Sequence, residues 1–404
     1  MISKTNRIAY IILGISFILR LYYVFFVQPM SSAIFSDMKN YIYVADLIAD
    51  GEWYPQNFFQ PIGFPYLILI LKKLSQNWIF WLESIQIIAS VATLWFFWQT
   101  TKEVFGEKIG LISLGIGAIH FPWIVFVGLA LAESLFIFLL SLLAWISLRF
   151  YRDQKTIYAV AWGMVFFLAF LIKGTHVFFG PLFLIGLFYY KNTSFKNIVI
   201  ISLVVGSGLL AHGFFTLSTI GKFQISASAG GLNFVEGKCG LKNNADSAGY
   251  SWLSPLYYQL DLHAMQKWDE PFVNSSYFMK EGMKCIVNNP LVLIQSLEGI
   301  PFLFMGNTLW PANQFKTSGW MRFYELLYAL FSIGGLIVYV RFLNSSENKI
   351  EQITLWCLPV LALFLCVYIF KSEIRFRIPF DVWIIPMSLK GWMELKAARI
   401  TLLQ

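Results

Sequence analysis

The stretch Ser36-Asp37-Met38-Lys39-Asn40-Tyr41 holds a lone carboxylate in a polar loop directly after the first hydrophobic run of the chain. A carboxylate at a membrane-water boundary can take the proton of a hydroxyl held within hydrogen-bond reach, the work of a general base. An Asp opening a helix also caps it by accepting backbone N–H bonds, so two roles compete for Asp37, and they are not exclusive. A second candidate is Lys371-Ser372-Glu373-Ile374-Arg375-Phe376-Arg377-Ile378-Pro379. Guanidinium forks match phosphate oxygens, so Arg375 and Arg377 beside a membrane helix suit a lipid phosphate, while snorkelling or topology-setting arginines are the competing reading. Glu133 lies in the apolar run Leu129 to Leu143, as an intramembrane functional acid or as a packed, hydrogen-bonded one. Lys173 interrupts another apolar run and is a candidate for the same cavity.

The elements that must position these groups are membrane helices. Of 404 residues 58% are hydrophobic and only 13% charged, the profile of a polytopic membrane protein. Apolar runs recur at Ile8 to Val27, Trp78 to Trp98, Ile109 to Phe121, Val125 to Phe150, Ile157 to Ile172, Val177 to Tyr190, Ile198 to Leu217, Phe323 to Val340, Thr354 to Phe370 and Ile378 to Met393. No polar block is large enough to fold as a soluble domain, so residues 1–404 read as one membrane-embedded domain. Its first external loop spans 28–77 and its second external region 218–320. The net charge of +8 is scattered over helix ends without the stripe that nucleic acid requires. The start of the chain reads as an uncleaved first helix.

Lys4 and Arg7 place the N-terminus in the cytoplasm, Arg149, Arg152, Lys155, Lys191 and Lys196 follow suit, and the Asp37 loop falls outside. Leu291 to Met305, short and carrying Glu298, either crosses or is re-entrant. The re-entrant reading puts Arg375 and Arg377 on the side of Asp37. Met38 to Asp50 and Ser276 to Val287 have amphipathic spacing, and the Gly- and Asn-rich run Ser226 to Tyr250 between them reads as a loop. Pro61, Gly63 and Pro65 fix the chain leading into the next apolar helix. His120, His176, His212 and His263 show no ligand spacing, and Asp261, His263, Lys267, Asp269 and Glu270 read as a solvated polar cluster. Cys357 and Cys366 read as packing residues, and whether Cys239 bonds Cys285 is open.

The order of these features resembles the GT-C superfamily, the integral-membrane glycosyltransferases that use polyprenyl-phosphate sugars, in its bacterial protein-mannosyltransferase-like and aminoarabinose-transferase-like branch. The resemblance is carried by Arg20, Ser36-Asp37 with Tyr41 and Ala45, Gly51, Pro61-Gly63-Pro65, Glu133-Ser134, Gly230-Gly231-Leu232-Asn233-Phe234, Tyr277 to Pro290, and Arg375-Phe376-Arg377-Ile378-Pro379. Many relatives carry an acidic pair where this chain has Ser36-Asp37, and Arg where it has Lys173. The resemblance implies an all-α bundle of about ten or eleven membrane helices with extracytoplasmic amphipathic helices and loops. It implies Asp37 as the catalytic base, Arg375, Arg377 and Lys173 on the donor phosphate, and Tyr41, Glu133, Asn233 and His263 lining the cavity. The implied reaction is inverting transfer from a polyprenyl-phosphate sugar to a hydroxyl acceptor on a glycan, lipid or protein outside a bacterial inner membrane. No cofactor, metal or nucleic acid is expected, since one acid without partners is a poor divalent site. A polymerase or ligase using a lipid pyrophosphate, and a flippase of lipid-linked sugars, are the alternatives.

Overall fold

A computed structural model of the protein describes residues 4–32, 34–191, 193–239, 275–305, 319–344, 346 and 348–403. Among these residues the regular structure is entirely helical, the form in which an apolar chain satisfies its own backbone groups without water. Lys4–Ser32, Trp78–Phe105, Glu133–Asp153, Phe195–Ile220, Phe323–Leu343 and Lys349–Ile369 are long and apolar enough to cross a membrane. Glu107–Ile119 and Phe121–Gly128 form an apolar helix pair bent by 56°, a broken span or a re-entrant loop. Thr156–Ile172, Gly174–Tyr189 and Val292–Met305 are shorter apolar helical segments.

In chain order the helices are α1 (Lys4–Tyr22), α2 (Asp37–Ala49), α3 (Gly63–Leu74), α4 (Trp78–Phe105), α5 (Glu107–Ile119), α6 (Phe121–Val125), α7 (Glu133–Asp153), α8 (Thr156–Ile172), α9 (Phe179–Lys191) and α10 (Phe195–Ile220). They continue with α11 (Ala229–Cys239), α12 (Ser275–Asn288), α13 (Val292–Gln295), α14 (Gly299–Met305), α15 (Gly319–Leu343), α16 (Lys349–Gln352), α17 (Leu358–Ile369), α18 (Ile374–Arg377) and α19 (Asp381–Leu403).

Arg20 ties the first helices together. It is fully buried, and its Nε donates to Ser90 on α4 at 2.6 Å while Nη1 reaches Ser16 and the Ala118 carbonyl on α5. Removing it from water is offset by these acceptors, so it acts as a cross-link. The expected span Val125 to Phe150 is interrupted. A buried turn and loop occupy 126–132, and the helix starts only at Glu133. Gln86 satisfies that segment by donating to the carbonyls of Val127 and Leu129 at 3.3 and 2.9 Å. Glu133 therefore sits in the first turn of α7, not inside a span.

The amphipathic α2 buries Met38, Tyr41, Val44, Ala45 and Ile48, the face its spacing predicts. The run read as a loop from Ser226 contains a helix, α11, anchored to the segment between α2 and α3 where Ser228 and Ala229 donate to the Phe58 and Phe59 carbonyls at 3.0 Å. Segment 291–305 is broken into α13, a turn and α14, and Glu298 is exposed, contrary to the buried acid expected. Helix α15 packs beside Arg377 through Glu325 and ends at the cavity of about 300 Å³ that Leu343 shares with Val104, Gln352 and Lys390.

Cys239 on α11 and Cys285 on α12 form a disulfide, with Cα atoms 5.5 Å apart. Closing a loop of this length constrains the unfolded chain by about 2–4 kcal/mol. Cys285→Ser is therefore expected to lower the thermal midpoint of the purified protein, while non-reducing gels of the native chain show faster migration than reduced samples. Equal migration would argue against the bond.

Candidate active site

The polar loop, α2, α7, the turn after α8 and the segment leading into α18 meet at one end of the bundle. Arg375 Nη1 donates to Asp37 Oδ2 at 2.8 Å, and its Nε lies 3.4 Å from Glu133 Oε1 and 3.7 Å from Glu373 Oε2. Lys173 Nζ donates to Glu133 Oε1 at 2.6 Å. Lys371 Nζ bridges Glu236 at 2.8 Å and Glu373 at 3.0 Å. Four carboxylates and three cations thus form one continuous network, in which Asp37 and Arg375 keep 19% and 14% of their side-chain surface open.

Asp37 is not the cap of its helix. Ser36 takes that position with φ +48°, a conformation costly for a residue with a Cβ, and no side-chain capping bond forms. The carboxylate instead turns towards Arg375 while staying in the first turn, where the helix dipole favours negative charge. Burial would raise the Asp37 carboxyl, but the Arg375 guanidinium outweighs it, helped by Lys173 and Lys371, and holds it below the usual carboxylate range. Burial would also discharge Arg375, yet Asp37, Glu133 and Glu373 together keep it charged more firmly than in water. Glu236 shows the opposite balance: burial raises it despite Lys371.

Tyr41 is buried edge-on against Phe64, with ring centres 5.1 Å apart. Burial, then the Glu133 and Asp37 charges, pushes its phenol well above the ordinary value, so it keeps its proton. Asn233 lies half-buried on α11, next to the helix face that carries Glu236. His263 lies outside the described residues.

Arg377 is two residues from Arg375 but faces elsewhere. It is fully buried, with Nη1 3.1 Å from Glu325 Oε2 and Nε 3.3 Å from Asp381 Oδ1. Asp381 also accepts from Tyr328 at 2.6 Å and pairs with His120 Nε2 at 3.0 Å, and His120 Nδ1 meets Tyr324 at 2.7 Å. This second cluster pins α18 between α15, the break after α5, and α19. It thereby fixes the backbone from which Arg375 projects.

Glu373, Lys371 and Glu236 belong to the site and were not singled out from sequence. Their signal was the alternation Lys371, Glu373, Arg375, too short to assign without the partner segments. Gly237 lets α11 lie against that segment: a Cβ there would come 2.0 Å from the Phe370 carbonyl. Gly237→Ala is therefore expected to displace Glu236 from Lys371 and lower the thermal midpoint, whereas Gly230→Ala, with nothing within 4 Å, leaves it unchanged. Equal midpoints would show that the contact is slack.

Among the described residues no group of three or more His, Cys, Asp or Glu side chains is arranged to hold a metal ion. In the acidic network each carboxylate is bridged by a cation instead.

Residues 59–212 match the family model of dolichyl-phosphate-mannose-protein mannosyltransferases. The crystal structure of the Archaeoglobus fulgidus oligosaccharyltransferase tethered to an acceptor peptide containing the NVT sequon is similar in fold, with a TM-score of 0.54 at 15% identity, covering 95% of this chain and 49% of that one. The chain shares the fold of that oligosaccharyltransferase, and its residues 59–212 carry the likeness to the mannosyltransferase family. A second crystal structure of the same oligosaccharyltransferase, in complex with Zn and sulfate, gives a TM-score of 0.44 at 15% identity over 94% of this chain and 52% of its own. The chain thus spans about half the length of the solved structures it matches. A comparison with curated protein sequences finds no match. The family match takes in Gly63, Glu133 and Lys173, while Asp37 and Arg375 lie outside it.

Proposed function

We propose that this protein is a GT-C-type inverting glycosyltransferase that moves a sugar from a polyprenyl-phosphate donor to a hydroxyl acceptor on the extracytoplasmic side of a bacterial inner membrane. The observation that carries the reading is the meeting of Asp37, Arg375, Glu133 and Lys173 at the first turns of α2 and α7. Helix N-termini and guanidinium forks both favour phosphate, so a base and an anion site stand side by side. Arg377, held by Glu325 and Asp381, is left out of phosphate binding.

In the step itself the acceptor oxygen attacks the anomeric carbon while Asp37 takes its proton. The bond from that carbon to the phosphate oxygen breaks, and its electron pair leaves on the lipid phosphate, which Arg375 and Lys173 stabilise. A single displacement of this kind inverts the sugar carbon.

An apolar groove of about 710 Å³ supports a lipid donor. Ile172 and Leu135, close in sequence to Lys173 and Glu133, line it with Leu139, Tyr66, His212 and Phe215. Sidedness has two supports. The basic residues Arg149 and Arg152, bonded to Glu103, lie at the far end of α7, about 25 Å from Glu133 at 1.5 Å per residue. The Cys239–Cys285 bond, joined to the site through α11, fits an oxidising compartment. Incubating the purified protein with a panel of polyprenyl-phosphate sugars tests the reading: release of polyprenyl phosphate is expected for at least one donor, and release from pyrophosphate-linked donors alone would replace it.

A further inference from the structure

We propose that the Asp37–Arg375 ion pair is a latch opened by the donor's phosphate, so that Asp37 acts as a base only when a lipid-linked sugar is in place. The inference rests on the glycosyl-transfer reading above and concerns how that site is regulated.

Room is the first argument. In a single displacement the attacking and leaving oxygens lie on opposite faces of the anomeric carbon, and carboxyl groups that work across a sugar in this way stand about 6.5–9.5 Å apart. Asp37 and Arg375 are in contact at 2.8 Å, so no sugar fits between them while the pair is closed. Whatever donor enters must part them.

The second argument is charge. A sugar phosphodiester is a monoanion, so Arg375 exchanges one carboxylate for one phosphate and the net charge around it is unchanged. Its Nε side stays next to Glu133 and Glu373, which are themselves held by Lys173 and Lys371, so the stem is anchored while the outer nitrogen changes partner. The groups acting on Asp37 are Arg375 from α18, Lys173 after α8 and Lys371 before α18, with Glu133 of α7 and Tyr41 of α2 in electrostatic range of it. Withdrawing the nearest cation raises the affinity of Asp37 for the acceptor's proton. When the product lipid phosphate leaves, Arg375 returns and the proton passes from Asp37 to water, which resets the site. A resting carboxylate already bonded to a guanidinium also has little capacity to activate stray water against the donor.

The test is a titration of Asp37 by difference infrared spectroscopy on the full chain in nanodiscs, its band identified by loss in Asp37→Asn. Decaprenyl phosphate is expected to raise the midpoint by about 1–3 pH units. Inorganic phosphate at equal concentration separates the sources: a matching rise means the headgroup alone opens the latch, and a rise with the lipid only means the chain must be seated too. In Arg375→Gln the midpoint is expected to start high and move little with lipid. Should that variant not fold, Arg375→Lys, which keeps the charge without the fork, is expected to show less than half the wild-type shift. An unchanged midpoint in the wild type, or an equal lipid-induced shift with and without the Arg375 fork, overturns the latch. The transfer reading fails separately, if Asp37→Asn turns over normally.

Discussion

Replacing Asp37 by Asn is expected to lower kcat for sugar transfer by about 10²–10⁴-fold, the range that a positioned general base contributes. The change is nearly isosteric, and the Asn carbonyl can still accept from Arg375, which keeps Glu133 and Glu373 as counter-charges. Folding should therefore survive, with the thermal midpoint close to that of the wild type. Donor binding is expected to hold or tighten, because Arg375 no longer has to leave a charged partner. Asp37→Ala removes the same proton acceptor but also the contact, so the two variants should lose activity together and differ in stability. A kcat within a few-fold of the wild type in Asp37→Asn would remove Asp37 from the chemistry.

Arg377→Ala is expected to produce the largest loss of stability, about 3–5 kcal/mol, because breaking a buried ion pair leaves an uncompensated charge. Arg377 is completely buried between Glu325 and Asp381. Purification yield and thermal midpoint in detergent read this directly. Pairing the change with Glu325→Gln removes one orphaned carboxylate and should recover part of the loss, a non-additivity expected only of groups in contact. Arg375→Ala should behave differently: its site is partly open to water, so its effect falls on turnover more than on yield. If Arg377→Ala were stable and inactive instead, Arg377 would belong with the phosphate-binding group.

How far the sequence could be read depended on the range of the interactions. Met38 to Asp50 was legible because its buried face repeats at helical spacing, and α2 buries those same residues. The bundle of membrane helices was legible from hydropathy alone. Helix α11 was not, because Gly230, Gly231 and Asn233 read as turn residues. The structure gives two of its glycines another use. A Cβ on Gly231 would come 2.4 Å from the Ser275 carbonyl and one on Gly237 2.0 Å from that of Phe370, so they are there for close approach. The break before Glu133 was hidden by the unbroken apolar run from Leu129 to Ala132, whose backbone is satisfied by Gln86, some forty residues earlier. Glu133 in a first turn is itself a helix-start signal, but only once the run is known to be interrupted.

Within the site, Asp37, Arg375, Glu133 and Lys173 could be nominated one by one from residue type and setting. That they touch could not, since Asp37 and Arg375 are 338 residues apart. The same distance in sequence concealed the division between the two arginines, one on Asp37 and the other on Glu325 and Asp381. Periodicity carries no information about such pairings.

The central claim is a single displacement of a lipid phosphate assisted by Asp37, and one measurement bears on it most directly. Purified wild-type protein and Asp37→Asn, each in nanodiscs, are supplied with a polyprenyl-phosphate sugar of defined anomeric configuration, and the released lipid phosphate and the glycoside are followed by NMR. The account predicts lipid phosphate and a glycoside of inverted configuration from the wild type, and neither above background from Asp37→Asn. Retained configuration, or undiminished release from the variant, would contradict it.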